Sequence, residues 1–487
     1  MPQLRRKLFE MWRKLRSEIT IHTTVRKTLI RRDLCRVTTV YFSLLILLSI
    51  PLKSGIGAGA YASQPLDTAG YLDFSYGPAV VSSPTGEKPE SKLWWNDGFW
   101  WGCLWSPSGN AYHIYRLDWV TQTWEDTGVK IDDRSGTKSD VLWDEIAGKL
   151  YVVSHIFSEY SSPEENEANW GRIYRYTYDE TLQTYSLDDG FPKNVNQDHS
   201  ETLVIDKDTT GRLWVTYVSK DPQVDPPDHK VFVNTSSDDG ITWGTPFALP
   251  EASAQVSTDD ISSVVAFKDD GGDKIGIMWS NQLTNTLNFA IHDDGNINPE
   301  AGWKLQSVPT GTDSIEDHIS IKSLKTNSSG QVFAVVKTQP AGSTQALIVM
   351  VSRDVDGRFS YHIYSTKSSN NTRPILLLDE AKTSNPQDDK VYVFVTGGES
   401  GSAICYKVLQ ITSPLSAMGD FPPGDCGIPF IKDSFYTNIN NATSTKQNVN
   451  SDTGLVVLAS DDVSGKVYVH NSIENRSTYL PLLMKNP

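Results

Sequence analysis

Charged and imidazole side chains recur at one register along this chain, each at or directly ahead of a run of apolar residues. Lys92, Asp140, Glu201, Asp260, Asp317, His318, Arg373 and Lys446 stand in that place, with His199, Asp259 and Asn448 close by. Carboxylates meeting in a cleft can divide acid–base work. One with a raised pKa protonates a leaving oxygen, while another stays ionised and activates water. Asp140, Glu201 and Asp260 are the catalytic set this spacing suggests, with Glu201 as acid and Asp140 or Asp260 as base. Lys92, His199, Asp317, His318, Arg373 and Lys446 would bind the hydroxyls or the carboxylate of a substrate. Strand ends also carry charge simply because they meet solvent, so the weight rests on the set rather than on any member. There is no C-x-x-C and no His-rich spacing, so neither a metal nor a cofactor is expected.

Only a repeating architecture could bring such scattered residues together, and a repeat is present. A turn residue followed by an alternating apolar run begins at Gly98, Gly148, Gly211, Asp273, Gly330, Asp389 and Gly454. Successive starts are 50, 63, 62, 57, 59 and 65 residues apart, which suits one four-stranded sheet per unit with generous loops. Val, Ile, Tyr and Trp alternate with polar residues in these runs, and another apolar run precedes each, for example at 202–205 and 374–378. The expected fold is therefore all-β, a β-propeller of seven blades, with six as the alternative. The seven runs would be the second strands. The last unit lacks an obvious fourth strand, and residues 71–81 could supply it beside 466–470, which removes an open sheet edge. Trp94, Trp95, Trp100, Trp101 and Trp105 crowd the first unit, where indoles fill the space between blades more often than they line a cleft.

The ends of the chain read differently. Residues 1–62 hold a basic stretch, a short apolar run at 40–50 and a small-residue Ala60–Ala62 site, the pattern of a secretory leader or an N-terminal anchor. The propeller would occupy 63–478 and an apolar tail 479–487. Of 44 basic and 59 acidic residues, 12 and 3 fall in the leader, leaving a net charge of about −24 for the rest. Such a surface repels nucleic acid and anionic membranes. The expectation is a secreted or cell-surface monomer with a poly- or oligosaccharide partner. Cys405 and Cys426 could pair in an oxidising compartment.

Residues 236–243 read SSDDGITW and match the Asp-box, S-x-D-x-G-x-T-W, at every specified position. Ser236 and Asp238 can bond across the turn, Gly240 supplies positive φ, and Trp243 can pack beneath. Weaker copies lie at Ser352, Asp354 and Gly357, and at His292–Gly295 with Trp303 downstream. On these residues the chain resembles the sialidase-like (BNR, Asp-box repeat) propellers. The resemblance implies a propeller, a structural role for the box and glycosidase chemistry. It departs from true sialidases, because the first unit has no F/Y-R-I-P-like segment and Arg373 is the only channel arginine. Three functions follow: a glycoside hydrolase, a lyase acting on uronate-containing glycans through a His base and an Arg or Lys, and a propeller that binds glycan or protein without catalysis.

Overall fold

The computed structural model describes residues 64–474, apart from 81, 82, 87, 222–227, 326–329, 384, 386 and 387. The chain divides into Met1–Gly57 and Ala58–Pro487, and every described residue belongs to the second unit. The leader and the apolar tail lie outside the described residues. Among those described, no helix is long and apolar enough to cross a membrane.

The described chain is a seven-bladed β-propeller. Blade 1 runs Leu93–Asn96, Phe99–Ser106, Ala111–Asp118 and Thr123–Lys130; blade 2 runs Thr137–Asp144, Lys149–Ile156, Arg172–Asp179 and Thr184–Leu187. Blade 3 takes Val204–Lys207, Leu213–Lys220, His229–Ser236 and Phe247–Ala248, and blade 4 Ser262–Asp269, Gly272–Asn281, Thr286–Asp293 and Lys304–Val308. Blade 5 takes Ile319–Ser323, Val332–Lys337, Ala346–Arg353 and Phe359–Thr366, and blade 6 Thr372–Asp379, Lys390–Thr396, Ala403–Gln410 and Ile428–Lys432. Each of the seven runs marked by a turn residue is the second strand of its blade. Blade 7 joins Ile439–Thr443, Leu455–Asp461 and Val467–Ile473 to Tyr71–Ser75 from the far end of the sequence. Tyr71 faces His470 and Leu72 faces Val469 across that junction. The closing strand is shorter than the expected 71–81, ending at Ser75.

There is no single central core. Apolar side chains pack between neighbouring sheets, as with Phe333 and Val335 of blade 5 against Leu376 and Val393 of blade 6. Trp94, Trp100, Trp101 and Trp105 are all buried, joining blades 1, 2, 6 and 7 in one apolar cluster. Each first strand has a ladder partner on one side only, so its inner edge offers unpaired backbone groups to the channel. Side chains from adjacent blades satisfy them. Asp140 accepts from the backbone N–H groups of Ser91 at 2.8 Å and Ile205 at 2.9 Å. Asp206 accepts from Ala266 N–H at 2.7 Å, and Ser320 Oγ accepts from Leu376 N–H at 3.3 Å. Much of the polarity on the first strands is thus the fastening between blades. The axis below is a cavity of about 350 Å³ with residues of all seven blades in its wall, Trp94, Val141, Asp206, Val264, Lys322, Glu380 and Lys446 among them.

Candidate functional site

Three carboxylates meet at one mouth of the channel: Glu201, Asp259 and Asp317, whose nearest oxygens lie within 4.8 Å of one another. Each sits in the loop just ahead of the first strand of its blade, respectively blades 3, 4 and 5. Neighbouring blades repeat the same loop-to-strand turn, so corresponding positions converge on the axis. Glu201 and Asp317 are buried, whereas Asp259 is exposed.

The Lys88 ammonium bridges Glu201 and Asp317. It arrives on the irregular segment that precedes blade 1. His318 Nδ1 lies 2.8 Å from Asp317 and 3.1 Å from Glu316, and Lys337 reaches Glu316 at 2.8 Å and Glu399 at 2.9 Å. His318 Nδ1 and Glu316 Oε2 lie close there without hydrogen-bond geometry. Ser161 Oγ accepts from Glu201 N–H at 3.0 Å, and Gln282 donates its side-chain amide to Asp259 at 3.1 Å.

These environments pull the carboxylates apart in acidity. Burial alone would raise Asp317, but the charges of Lys88 and His318 outweigh it and hold the group well below the ordinary aspartate range. Asp259 moves the other way, raised first by desolvation and then by the negative charge of Asp317. Asp259 therefore keeps its proton to higher pH than Asp317 beside it, a separation of the kind that divides acid and base roles between two carboxylates. Glu201, Asp259 and Asp317 form one set of oxygen ligands that could hold a hard cation, and Glu316, Asp317 and His318 form another. Lys88 supplies positive charge to the first.

The expected convergence is only partly realised. Glu201, Asp317 and His318 come together at the mouth. Arg373 stands nearby at the head of blade 6, with φ of 48° and its guanidinium on Glu399 O at 3.2 Å. Asp140 does not join them. It is fully buried and accepts from Lys446 Nζ at 2.8 Å as well as from its two backbone donors. Asp260 is equally buried and ties its own turn, accepting from Ser257 N–H at 2.7 Å and Gln282 N–H at 3.0 Å. Lys92 is buried on Glu90 at 2.8 Å. His199 lies in a small side sheet, within 2.9 Å of Ser162 Oγ. Lys446 points into the axial cavity beside Asp140.

The Asp-box turns between the third and fourth strands of blade 3, on the blade's outer part. Asp238 Oδ1 accepts from Thr242 N–H at 2.9 Å and from Ser236 Oγ at 2.8 Å, while Ser236 Oγ also accepts from Gly240 N–H at 2.9 Å. Gly240 has φ of 81°, and Trp243 packs half-buried against the apolar cluster between blades 2 and 3 that contains Leu203 and Phe191. The turn at Asp354 in blade 5 is of the same kind, with Arg358 N–H on Asp354 at 2.7 Å.

No protein-family model matches the chain, and no curated protein matches it. Among solved structures it is similar to the intramolecular trans-sialidase from Ruminococcus gnavus in complex with oseltamivir carboxylate. That match has 10% identity over 83% of this chain and 98% of that one, with a TM-score of 0.40. It is also similar to an α-L-arabinanase of Penicillium chrysogenum, with 13% identity over 70% and 92% of the two chains and a TM-score of 0.36. A third is the GH93 α-L-arabinofuranosidase of Fusarium graminearum, at 13% identity over 69% and 92%, with a TM-score of 0.37.

Proposed function

We propose that this chain is an extracellular glycoside hydrolase working at the Glu201–Asp259–Asp317 mouth. The observation that supports this reading most is the pairing of an exposed, raised-pKa Asp259 with an ionised Asp317 on adjacent blades. Asp259 donates its proton to the leaving glycosidic oxygen. Asp317 presents its charge to the anomeric carbon, and Lys88, Glu201 and His318 fix its orientation. The close spacing favours retention of configuration, because inversion needs room for a water between the two groups. Glu201 and Asp317 set two negative charges against the single one of Lys88, which favours a neutral glycan, since a uronate would be repelled. The basic leader and the Cys405–Cys426 disulfide support an oxidising, extracellular setting.

The test is hydrolysis of neutral polysaccharides by the wild type and by Asp259→Asn and Asp317→Asn, followed as reducing ends. Each variant should lose at least about 100-fold in turnover with its melting temperature little changed. Undiminished turnover in Asp259→Asn would remove it as the acid. On a uronate-containing polysaccharide run alongside, products absorbing in the near ultraviolet, the mark of an unsaturated uronate, would favour the lyase instead.

A further inference from the structure

A second cleft lies on blades 2 and 3, and none of its lining residues belongs to the carboxylate trio or to the axial cavity. It encloses about 530 Å³, within the range of small-ligand sites. Trp170, Trp243 and Phe232 form its apolar wall, and Asn194, Asp198 and Lys220 line it with polar groups.

The sequence invests unusual length in building it. The connection between the second and third strands of blade 2 spans 15 residues, 157–171, where the corresponding connections of the other blades span 4 to 8. Long connections in compact domains are commonly functional. This one is also held in place. Arg134, paired with Asp132 at 2.6 Å, donates to Ala168 O at 3.1 Å and to Trp170 O at 2.9 Å. Asn194 donates to Glu167 at 2.9 Å, and Trp170 donates its indole N–H to Glu164 O at 2.5 Å. Gly171 lies so close to Asn196 that a Cβ there would meet Asn196 Oδ1 at 2.4 Å. The loop thus carries Trp170 as a fixed platform. Facing it from the Asp-box is Trp243, whose indole N–H has no hydrogen-bond partner among the described residues.

We propose that this cleft is a binding site for a neutral glycan, separate from the channel mouth. Fixed aromatic faces stack on the apolar faces of sugar rings, and amide and carboxylate groups at their edges accept and donate to hydroxyls. A pre-fixed platform loses little entropy on binding. An anionic glycan is a poor fit, because Asp198 and Asp221 share the lining and the chain carries a net charge of −15. The proposal does not depend on which reaction the mouth performs.

The experiment is affinity electrophoresis of the purified chain through native gels containing arabinan, galactan, xylan or mixed-linkage β-glucan, with polygalacturonate as the acidic control. At least one neutral gel should retard the wild type. Trp170→Ala should weaken that retardation at least tenfold with an unchanged melting temperature, as should Asn194→Ala if Trp170→Ala proves unstable. Asp259→Asn should be retarded like the wild type. Retardation by none of the neutral gels would overturn the proposal. So would retardation that survives loss of Trp170 and Asn194, or that vanishes in Asp259→Asn, which would place binding at the mouth. Loss of hydrolysis in Asp259→Asn with retardation intact separates the two sites.

Discussion

At the scale of single residues, Lys88 sets the acidity of the mouth. It pairs with Glu201 and Asp317 at once, so Asp317 stays charged well below the usual carboxylate range. Activity that needs ionised Asp317 should fall only when acid reaches that lowered pKa. Without Lys88 the pKa rises, so Lys88→Met should move the acidic limb of the kcat/KM profile to higher pH. The alkaline limb follows Asp259, whose raised pKa keeps its proton available above the ordinary aspartate range; that limb should also shift upward in Lys88→Met, because the uncovered negative charges further disfavour ionisation of Asp259. A profile identical to the wild type would show that Lys88 plays no such part. Asp140 offers the contrast. It is fully buried and serves two backbone donors and one lysine, so Asp140→Ala should cost about 3–5 kcal/mol in denaturant unfolding. Asp140→Asn should cost less. Glu201 and Asp317 were legible because their loops repeat from blade to blade. The sequence does not separate Asp259 from Asp260, because both precede the strand, which begins at Ser262, and outside a strand no alternation says which side chain faces the axis. Lys88 left no signal, since its irregular segment is positioned only by the assembled ring.

Elements explain why the strands were easier to read than the site. Each second strand lies between two others and is buried on both faces, as in Val332–Lys337 and Leu455–Asp461, so its apolar run is unbroken and its turn residue stands out. First strands carry the fastening and the loops ahead of them the carboxylate cluster, and the same residue types serve both. Lys92 and Asp140 carry no mark that separates the two, because a lysine paired with a buried carboxylate, or a carboxylate capping a neighbour's backbone, looks in sequence like one awaiting a substrate. The Asp-box is self-contained by comparison. Its main acceptor bonds sit near solvent, where Thr242 is exposed. Asp238→Ala should therefore cost no more than about 1 kcal/mol, with hydrolysis per folded molecule unchanged. A loss several times larger, seen by calorimetry, would mean that the turn organises the blade beyond its own hairpin.

For the whole molecule, the decisive element is the strand Tyr71–Ser75, which completes blade 7. His470 is buried between Asp73, at 2.8 Å, and Gln122 of blade 1, at 3.1 Å, and Tyr71 stacks on its ring. A chain lacking residues 64–75 should expose the edge of Val467–Ile473 and self-associate, visible by size-exclusion chromatography. A monomer with the wild-type melting temperature would refute that. The closing contact also bears on when the protein can exist at all. Asp73 and His470 are 397 residues apart in sequence, so no ribosome-bound fragment that stops short of the seventh sheet can shut its ring. Blades can form one after another during synthesis, but Tyr71–Ser75 must wait for Val467–Ile473 before it can join a blade. Ring closure is therefore the last step of assembly, and it waits on the whole of the seventh sheet.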